Sequence, residues 1–337
     1  MKLCMIGVRG HYGYVLDGLP HLPHVQVVGV SAGDPADDIA PLKTWCDENA
    51  HPAKVFDDWR RMLDELSPQI VVVAGPFERI AEMCIEAFSR GAHVLSEKPV
   101  AMTLAELDSL AAAHSRGNVH FAAMMGLRYD PAFYTAWRAV KDGAVGEVRL
   151  IDTRKSYKLG RRDAFYCSRR TYPGTIPWVG SHAIDWIRWF TGQDFRTVFA
   201  AHSTGGNRGH GELEASALCQ FTLTGDVLAS VSIDYFRPET APTHGDDRLR
   251  TVGTDGVIEV RDGKVWLINA DGEQEVPAEC GRQIFRDFVA HVEGGGEALI
   301  TACDTLTVTE ACLLARLSAD ERRSVAFGSQ PAEGRNS

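Results

Sequence analysis

From Leu3 to Met125 the chain alternates strand-like and helix-like segments, and several of the apolar runs do not themselves alternate. Ile70-Val71-Val72-Val73-Ala74 is the clearest example. A strand with one wet face alternates apolar and polar residues, whereas a run apolar at every position fits a strand covered on both faces. Strands are predicted at Leu3–Ile6, Val25–Val30, Ile70–Ala74, His93–Leu95 and Val119–Met125, with a short one at Lys54–Phe56. Helix candidates between them are Tyr14–Leu19, Ala36–Asn49, Asp58–Leu66, Glu78–Arg90 and Leu104–Ser115. Strand–helix alternation of this kind predicts a doubly wound parallel sheet.

After Arg128 the texture changes. A helix candidate runs from Ala132 to Lys141, and Gly143 and Gly146 then break the pattern. Strand-rich segments follow at Glu147–Lys158, Thr197–Ser203, Ala215–Leu223, Val227–Phe236, Leu249–Thr254, Gly256–Arg261 and Lys264–Asn269. Several alternate, such as Ala229-Ser230-Val231-Ser232-Ile233-Asp234-Tyr235, and Asp262-Gly263 marks a hairpin turn. Helices are expected at Ser181–Phe190, Gln283–Val292 and Leu306–Ser318. The expected class is α/β: domain 1–124 doubly wound, domain 125–329 α+β on an open, mainly antiparallel sheet, and a flexible tail at 330–337.

Composition narrows what such a chain can do. Its 337 residues are 45% apolar and 24% charged, as in a globular protein of two ordinary domains. The formal charge is −10, from 45 acidic and 35 basic residues. That argues against nucleic acid or an anionic membrane as partner, since both require clustered positive charge. The eight cysteines form no C-x-x-C pair and no zinc-like Cys/His spacing, so no metal site is expected. Reduced thiols and a cytoplasmic location are the expectation. The first apolar run, Leu3 to Val8, is too short for a signal-peptide core, and no stretch approaches the ~20 residues that span a bilayer.

Three short segments carry the chemistry. Gly7-Val8-Arg9-Gly10-His11-Tyr12-Gly13 follows the first strand and opens a helix, where glycines let the backbone approach a pyrophosphate. Its G-x-x-G-x-x-G spacing departs from G-x-G-x-x-G, and a merely structural glycine turn would read the same way. The position usually held by a ribose-binding acid is occupied by Ser31 and Ala32, with Asp34 a little late. Arg9 is the nearest candidate for a 2′-phosphate, so NAD and NADP both remain open, with a lean to NAD. Ser96-Glu97-Lys98-Pro99 ends a parallel strand, the edge at which open sheets bind ligands. Lys98 there can donate to a substrate hydroxyl, or simply sit in a surface turn. In Gly180-Ser181-His182-Ala183-Ile184-Asp185-Trp186, His182 and Asp185 share a helical face. An imidazole suits removal of an alcohol proton near neutral pH, although a histidine on an apolar helix is often only structural.

Together these segments resemble the Gfo/Idh/MocA oxidoreductases, related to glucose–fructose oxidoreductase and inositol dehydrogenase. The likeness extends through Gly91-Ala92-His93-Val94-Leu95-Ser96-Glu97-Lys98-Pro99, Arg128-Tyr129-Asp130-Pro131, Gly143-Ala144-Val145-Gly146-Glu147-Val148 and Thr301–Phe327. It implies a Rossmann domain binding NAD or NADP, followed by an open-sheet domain that often forms the subunit interface, hence a homodimer or homotetramer. It also implies that Lys98 and His182 line the place where nicotinamide meets substrate, with Glu97 beside the cofactor. Relatives that oxidise polyols commonly carry an Asp four residues before this His; here Trp178 stands there, so either Asp185 orients the imidazole, or Lys98 and His182 act without such a carboxylate, or the catalytic role has changed.

The expected reaction is hydride transfer between nicotinamide and a secondary alcohol of a sugar, cyclitol or sugar acid. The rivals are redox-assisted cleavage of a glycoside without net redox, and non-catalytic sensing of dinucleotide and sugar. Expected cofactor contacts are Gly7, Arg9, Gly10, His11, Tyr12, Gly13, Ser31, Glu97 and Lys98. Expected catalytic residues are Lys98, His182 and Asp185, and expected substrate contacts are Arg128, Arg154, Lys155 and Trp178. The stretch Ile151–Tyr172 carries Arg154, Lys155, Lys158, Arg161, Arg162, Arg169 and Arg170 against Asp152 and Asp163. It is read either as a solvated loop or oligomer contact, or as a cleft lip for an acidic sugar, where Arg binds bidentately.

Overall fold

The described residues are 1–328 of a computed structural model; the expected tail at 330–337 lies outside them. They form two compact units. The first comprises Met1–Tyr129, Arg170–Pro173 and Gly281–Thr309; the second comprises Asp130–Arg169, Gly174–Cys280 and the described residues from Glu310.

The elements of the first unit begin with β1 (Lys2–Ile6), α1 (Gly13–Gly18), β2 (Gln26–Ser31), α2 (Ala40–Glu48), β3 (Lys54–Phe56) and α3 (Trp59–Leu66). They continue with β4 (Ile70–Val73), α4 (Ile80–Ser89), β5 (His93–Ser96), α5 (Leu104–Ser115) and β6 (Phe121–Ala123). The sheet order is β3-β2-β1-β4-β5-β6, and every pair is parallel. All of Leu3–Ile6 and Ile70–Val73 are fully buried, so the non-alternating runs do form the two-sided core. Local chemistry fixes helix starts. Thr103 and Glu106 form a reciprocal capping box at α5, and Asp58 accepts amide hydrogen bonds at the start of α3. Strand order reverses between β1 and β4, which opens a crevice at the carboxyl edge of the sheet.

The second unit contains α6 (Pro131–Lys141), β7 (Val148–Tyr157), α7 (Thr175–Trp178), α8 (Gly180–Thr191), β8 (Phe195–Ser203), β9 (Ser216–Leu223) and β10 (Leu228–Asp234). It continues with β11 (Gly245–Gly253), β12 (Gly256–Arg261), β13 (Lys264–Asn269) and β14 (Gly272–Val276). α9 (Ile284–Val292) returns to the first unit, where it packs on α1; α10 (Ala302–Glu321) and β15 (Val325–Ala326) complete the described chain. The nine-stranded sheet runs β14-β13-β12-β11-β7-β10-β9-β8-β15 and is antiparallel except at β7–β10. α8 packs on β7 and β10, and α6 on β12 and β13. Ring stacking of Phe133 on Trp186 (4.0 Å) and Trp137 on Trp189 (4.9 Å) ties α6 to α8. Alternation on β9 is regular: Ala217, Cys219, Phe221 and Leu223 are buried, while Leu218, Gln220 and Thr222 are exposed. β14 was not anticipated, because Gly-Glu-Gln-Glu-Val has no apolar face to reveal it.

Candidate active site

In the first unit the glycine turn is built by close backbone approach. Gly7 has φ 83°, its amide donates to the Ser31 carbonyl at 2.8 Å, and a Cβ there would strike the Ala74–Gly75 backbone. Only glycine fits. Gly10 has φ 73°, and a Cβ there would strike the Glu97 carboxylate. Gly13 differs: a Cβ there meets nothing within 4 Å. Ser31 is buried, and its hydroxyl has no hydrogen-bond partner. A glycine cradle beside an orphaned buried hydroxyl fits the pyrophosphate and ribose of a dinucleotide.

Glu97 locks this turn to the end of β5. Its buried carboxylate accepts the His11 amide, meets the His11 ring at 3.0 Å and accepts the Lys98 amide at 2.9 Å. Burial pushes the Glu97 carboxyl up, but the facing His11 and the charge of Lys98 outweigh burial and hold it below the usual carboxylate range. Glu97 also extends the sheet ladder, its amide donating to Val73 at 2.7 Å. Lys98 is 2% exposed, at the carboxyl edge where the crevice opens, and the Lys98–Pro99 bond is cis.

Beyond β2, a cleft of about 700 Å³ is lined by Ala32, Gly33, Asp34, Val55, Phe56 and Trp59, among others. Arg9 does not stand free toward it. Its Nε donates to Asp37 at 2.9 and 3.0 Å, and Nη2 reaches Asp34 at 3.5 Å. Tyr12 is the residue before α1, next to Gly13.

In the second unit α8 is buried all round, including His182 (3% exposed) and Asp185 (1%). Its start is set by close packing, since a Cβ at Gly180 would lie 2.5 Å from the Ile233 side chain. Trp178 is buried on α7, where the Ser181 hydroxyl donates to its carbonyl at 2.9 Å. That turn is anchored by Glu214, which accepts the Thr175 amide at 2.9 Å.

β7 separates two residues expected to act together. Adjacent residues on a strand point to opposite faces, so Arg154 and Lys155 cannot line one pocket wall. Lys155 turns inward with no exposure, paired with Asp247 at 2.5 Å and lying 5.3 Å from the Trp186 ring and 4.9 Å from that of Tyr157. Burial lowers its pKa, against the opposing pull of Asp247 and Asp130. Arg154 turns to the open face and pairs with Asp246 at 3.3 Å. Arg128, also expected at substrate, is buried in the first unit with its guanidinium on the Leu299 carbonyl and 3.4 Å from Asp304.

The basic stretch is likewise divided. Arg162 lies 4.8 Å from the Tyr235 ring and donates to the Lys158 carbonyl at 3.0 Å. Arg169 pairs with Glu214 and, at 3.3 Å, with Asp320. Arg170 belongs to the first unit, in the segment whose buried Tyr172 meets Phe77 edge-on at 6.3 Å. Sequence reasoning missed Asp37, Asp247 and Glu214, each of which holds an expected residue from a distant place in the chain.

A glycine turn at a sheet's switch point, followed by a unit built on an open sheet, defines a dinucleotide-binding α/β architecture. Residues 1–124 match the model of an oxidoreductase family with an NAD-binding Rossmann fold, and residues 133–259 match the GFO/IDH/MocA C-terminal domain. The chain belongs to the Gfo/Idh/MocA oxidoreductase family. A solved structure from Thermotoga maritima, described as an oxidoreductase, is 45% identical, covers 97% of this chain and 100% of that one, and superposes with a TM-score of 0.94. The uncharacterized oxidoreductase YrbE of Bacillus subtilis is 26% identical over 247 residues, 72% of this chain and 68% of that protein. Levoglucosan dehydrogenase of Pseudarthrobacter phenanthrenivorans is 29% identical over 155 residues, 44% of this chain and 39% of that enzyme. Among the described residues no helix is long and apolar enough to cross a membrane.

Proposed function

We propose that the chain interconverts a secondary alcohol and a ketone on a sugar, cyclitol or sugar acid, using NAD in preference to NADP. The observation that carries this reading is the buried Glu97–Lys98 pair fixed to the glycine turn in a member of this oxidoreductase family. When bound, the nicotinamide supplies the atom that accepts or gives the hydride. Lys98 donates to the reacting hydroxyl oxygen and stabilises the negative charge that develops on it. His182 takes the hydroxyl proton, and Asp185, on the same helical face, orients the imidazole where Trp178 cannot. Trp178, Arg128 and one of Arg154 and Lys155 make up the substrate side of this reading, since the last two lie on opposite faces of β7.

The named relative that acts on levoglucosan supports a carbohydrate substrate. The exposed Phe199, Leu218 and Leu228 on the open sheet support self-association there as a homodimer or homotetramer. The buried thiols of Cys4, Cys84 and Cys219 support a reducing cytoplasm as the location.

The test is a screen of polyols, sugars and sugar acids with NAD and NADP, read at the reduced-nicotinamide absorbance. A rise with one substrate class is expected. Trp178 favours a second reading, because an indole cannot orient a histidine as a carboxylate does. If the screen stays silent while a glycoside is cleaved, redox-assisted cleavage replaces the dehydrogenase; binding without any turnover leaves a sensor.

A further inference from the structure

We infer that Arg9 determines dinucleotide choice: held by Asp34 and Asp37, it is withheld from a 2′-phosphate, and the chain selects NAD. This deepens the NAD reading above and rests on it.

The usual discriminator is an acid at the end of the second strand, which grips the ribose hydroxyls and repels a 2′-phosphate. Here that strand ends in Ser31, followed by Ala32 and Gly33, so the residues at the usual place carry no charge. Discrimination has to come from elsewhere. Ser31 offers only its buried, unpartnered hydroxyl, which can meet a ribose hydroxyl but cannot reject a phosphate.

The arginines around the cleft beyond β2 are already committed. Arg60 is paired with Glu82 and lies 4.1 Å from the Trp59 ring. Arg79 donates to the Gly33 carbonyl at 3.1 Å and pairs with Glu82 at 3.1 Å. Arg9 comes from the glycine turn, and its guanidinium spans Asp37 (2.9 Å) and Asp34 (3.5 Å). Arg9 and Asp37 are each 12% exposed, and Asp34, which lines the cleft, is 32% exposed. One cation between two carboxylates leaves a net negative group. A 2′-phosphate, carrying up to two negative charges, would have to displace a carboxylate from Arg9 and face both acids. NAD brings hydroxyls instead, and these meet no such opposition.

The arrangement is reversible by design of the side chains. Asparagine in place of either acid keeps the shape, removes the charge and frees the guanidinium to bind phosphate bidentately.

Calorimetric titration of the full chain with NAD and with NADP tests this without relying on turnover. The wild type is expected to bind NAD roughly tenfold or more tightly than NADP. D34N/D37N is expected to shift that ratio toward NADP by roughly tenfold or more, and adding R9A should abolish the gain. D34N alone, at the more exposed acid, gives the same direction if D37N impairs folding. Equal affinities in the wild type, or an unchanged ratio in folded D34N/D37N that still binds NAD, overturn the inference and leave the NAD-binding reading standing. A gain that persists without Arg9 overturns its role and assigns the effect to the acids' own field. Wild-type protein that binds neither dinucleotide overturns the reading itself.

Discussion

The two units hold their polar groups by different means. In the first, the proposed site residues follow from backbone geometry: glycines with positive φ, strand ends in register, and one carboxylate, Glu97, that accepts two backbone amides. In the second, His182, Asp185 and Lys155 sit on regular elements and are placed by side-chain packing, through Trp186, Trp189 and Ile233. A backbone-specified site leaves a local sequence motif. A residue placed by packing alone, such as Lys155, leaves almost none, because its partner lies far along the chain.

The largest effects should come from removing the proposed chemistry in either unit. Lys98→Met and His182→Ala are each expected to lower kcat by about 10²–10⁴-fold, with NAD affinity changed only modestly. The double variant should be little worse than the worse single, since residues acting as a unit are not additive. Asp185→Asn should follow His182→Ala if it orients the imidazole. Near-normal kcat in His182→Ala would return that histidine to the core and strip the second unit of its base.

Two glycines sharpen the comparison within the first unit. Gly13→Val projects into open space, so it should abolish dinucleotide binding in a folded protein. Gly10→Val meets the Glu97 carboxylate at a positive φ, so it should cost stability as well as binding. Calorimetric titration with thermal melts separates the two. A Gly13→Val protein that binds NAD normally would remove the cofactor reading of the turn.

The buried pair in the second unit should answer differently. Lys155→Met leaves Asp247 without its cation and is expected to destabilise by up to about 3–5 kcal/mol, the range for breaking a buried pair. Asp247 is partly exposed, so the lower end is the better expectation. Lys155→Met with Asp247→Leu should recover most of the loss, read by denaturant melts. No recovery would mean that the ammonium serves Trp186 and Tyr157 more than Asp247.

The same contrast explains what could be read from sequence. β1 and β4 were legible because burial on both faces forbids polar residues, and the start of α5 was written in Thr103 and Glu106. The class of both sheets followed from periodicity. Lys155 with Asp247, 92 residues apart, could not be read locally, nor could Arg9 with Asp37. The recruitment of Gly281–Thr309 into the first unit left no signal either. The opposition of Arg154 and Lys155 was available, since the period of a strand alone sets neighbours on opposite faces.

The smallest expected effect is a pH dependence drawn from a histidine stack in the first unit. His93 and His120 stack at 5.1 Å, and His291 meets His120 at 4.2 Å; His114, itself packed on Phe88 and Phe121, also acts on His120. Burial lowers the pKa of His93 and of His120, and neighbouring histidines lower both further. A histidine with a lowered folded pKa binds fewer protons folded than unfolded. Its stabilising contribution is therefore present above the unfolded value of about 6.5 and is lost as pH falls through that value toward the folded one. Glu97, held below its usual range, acts in a separate window: its contribution persists above about 4.3 and disappears below. Melts between pH 8 and 5.5 should thus show Tm falling, at roughly 2–4 °C per kcal/mol lost. His120→Gln should flatten that slope without touching the acid limb governed by Glu97. An unchanged slope in His120→Gln would detach the pH dependence from this histidine stack and leave it to His51 and His244, whose pKa values burial also lowers.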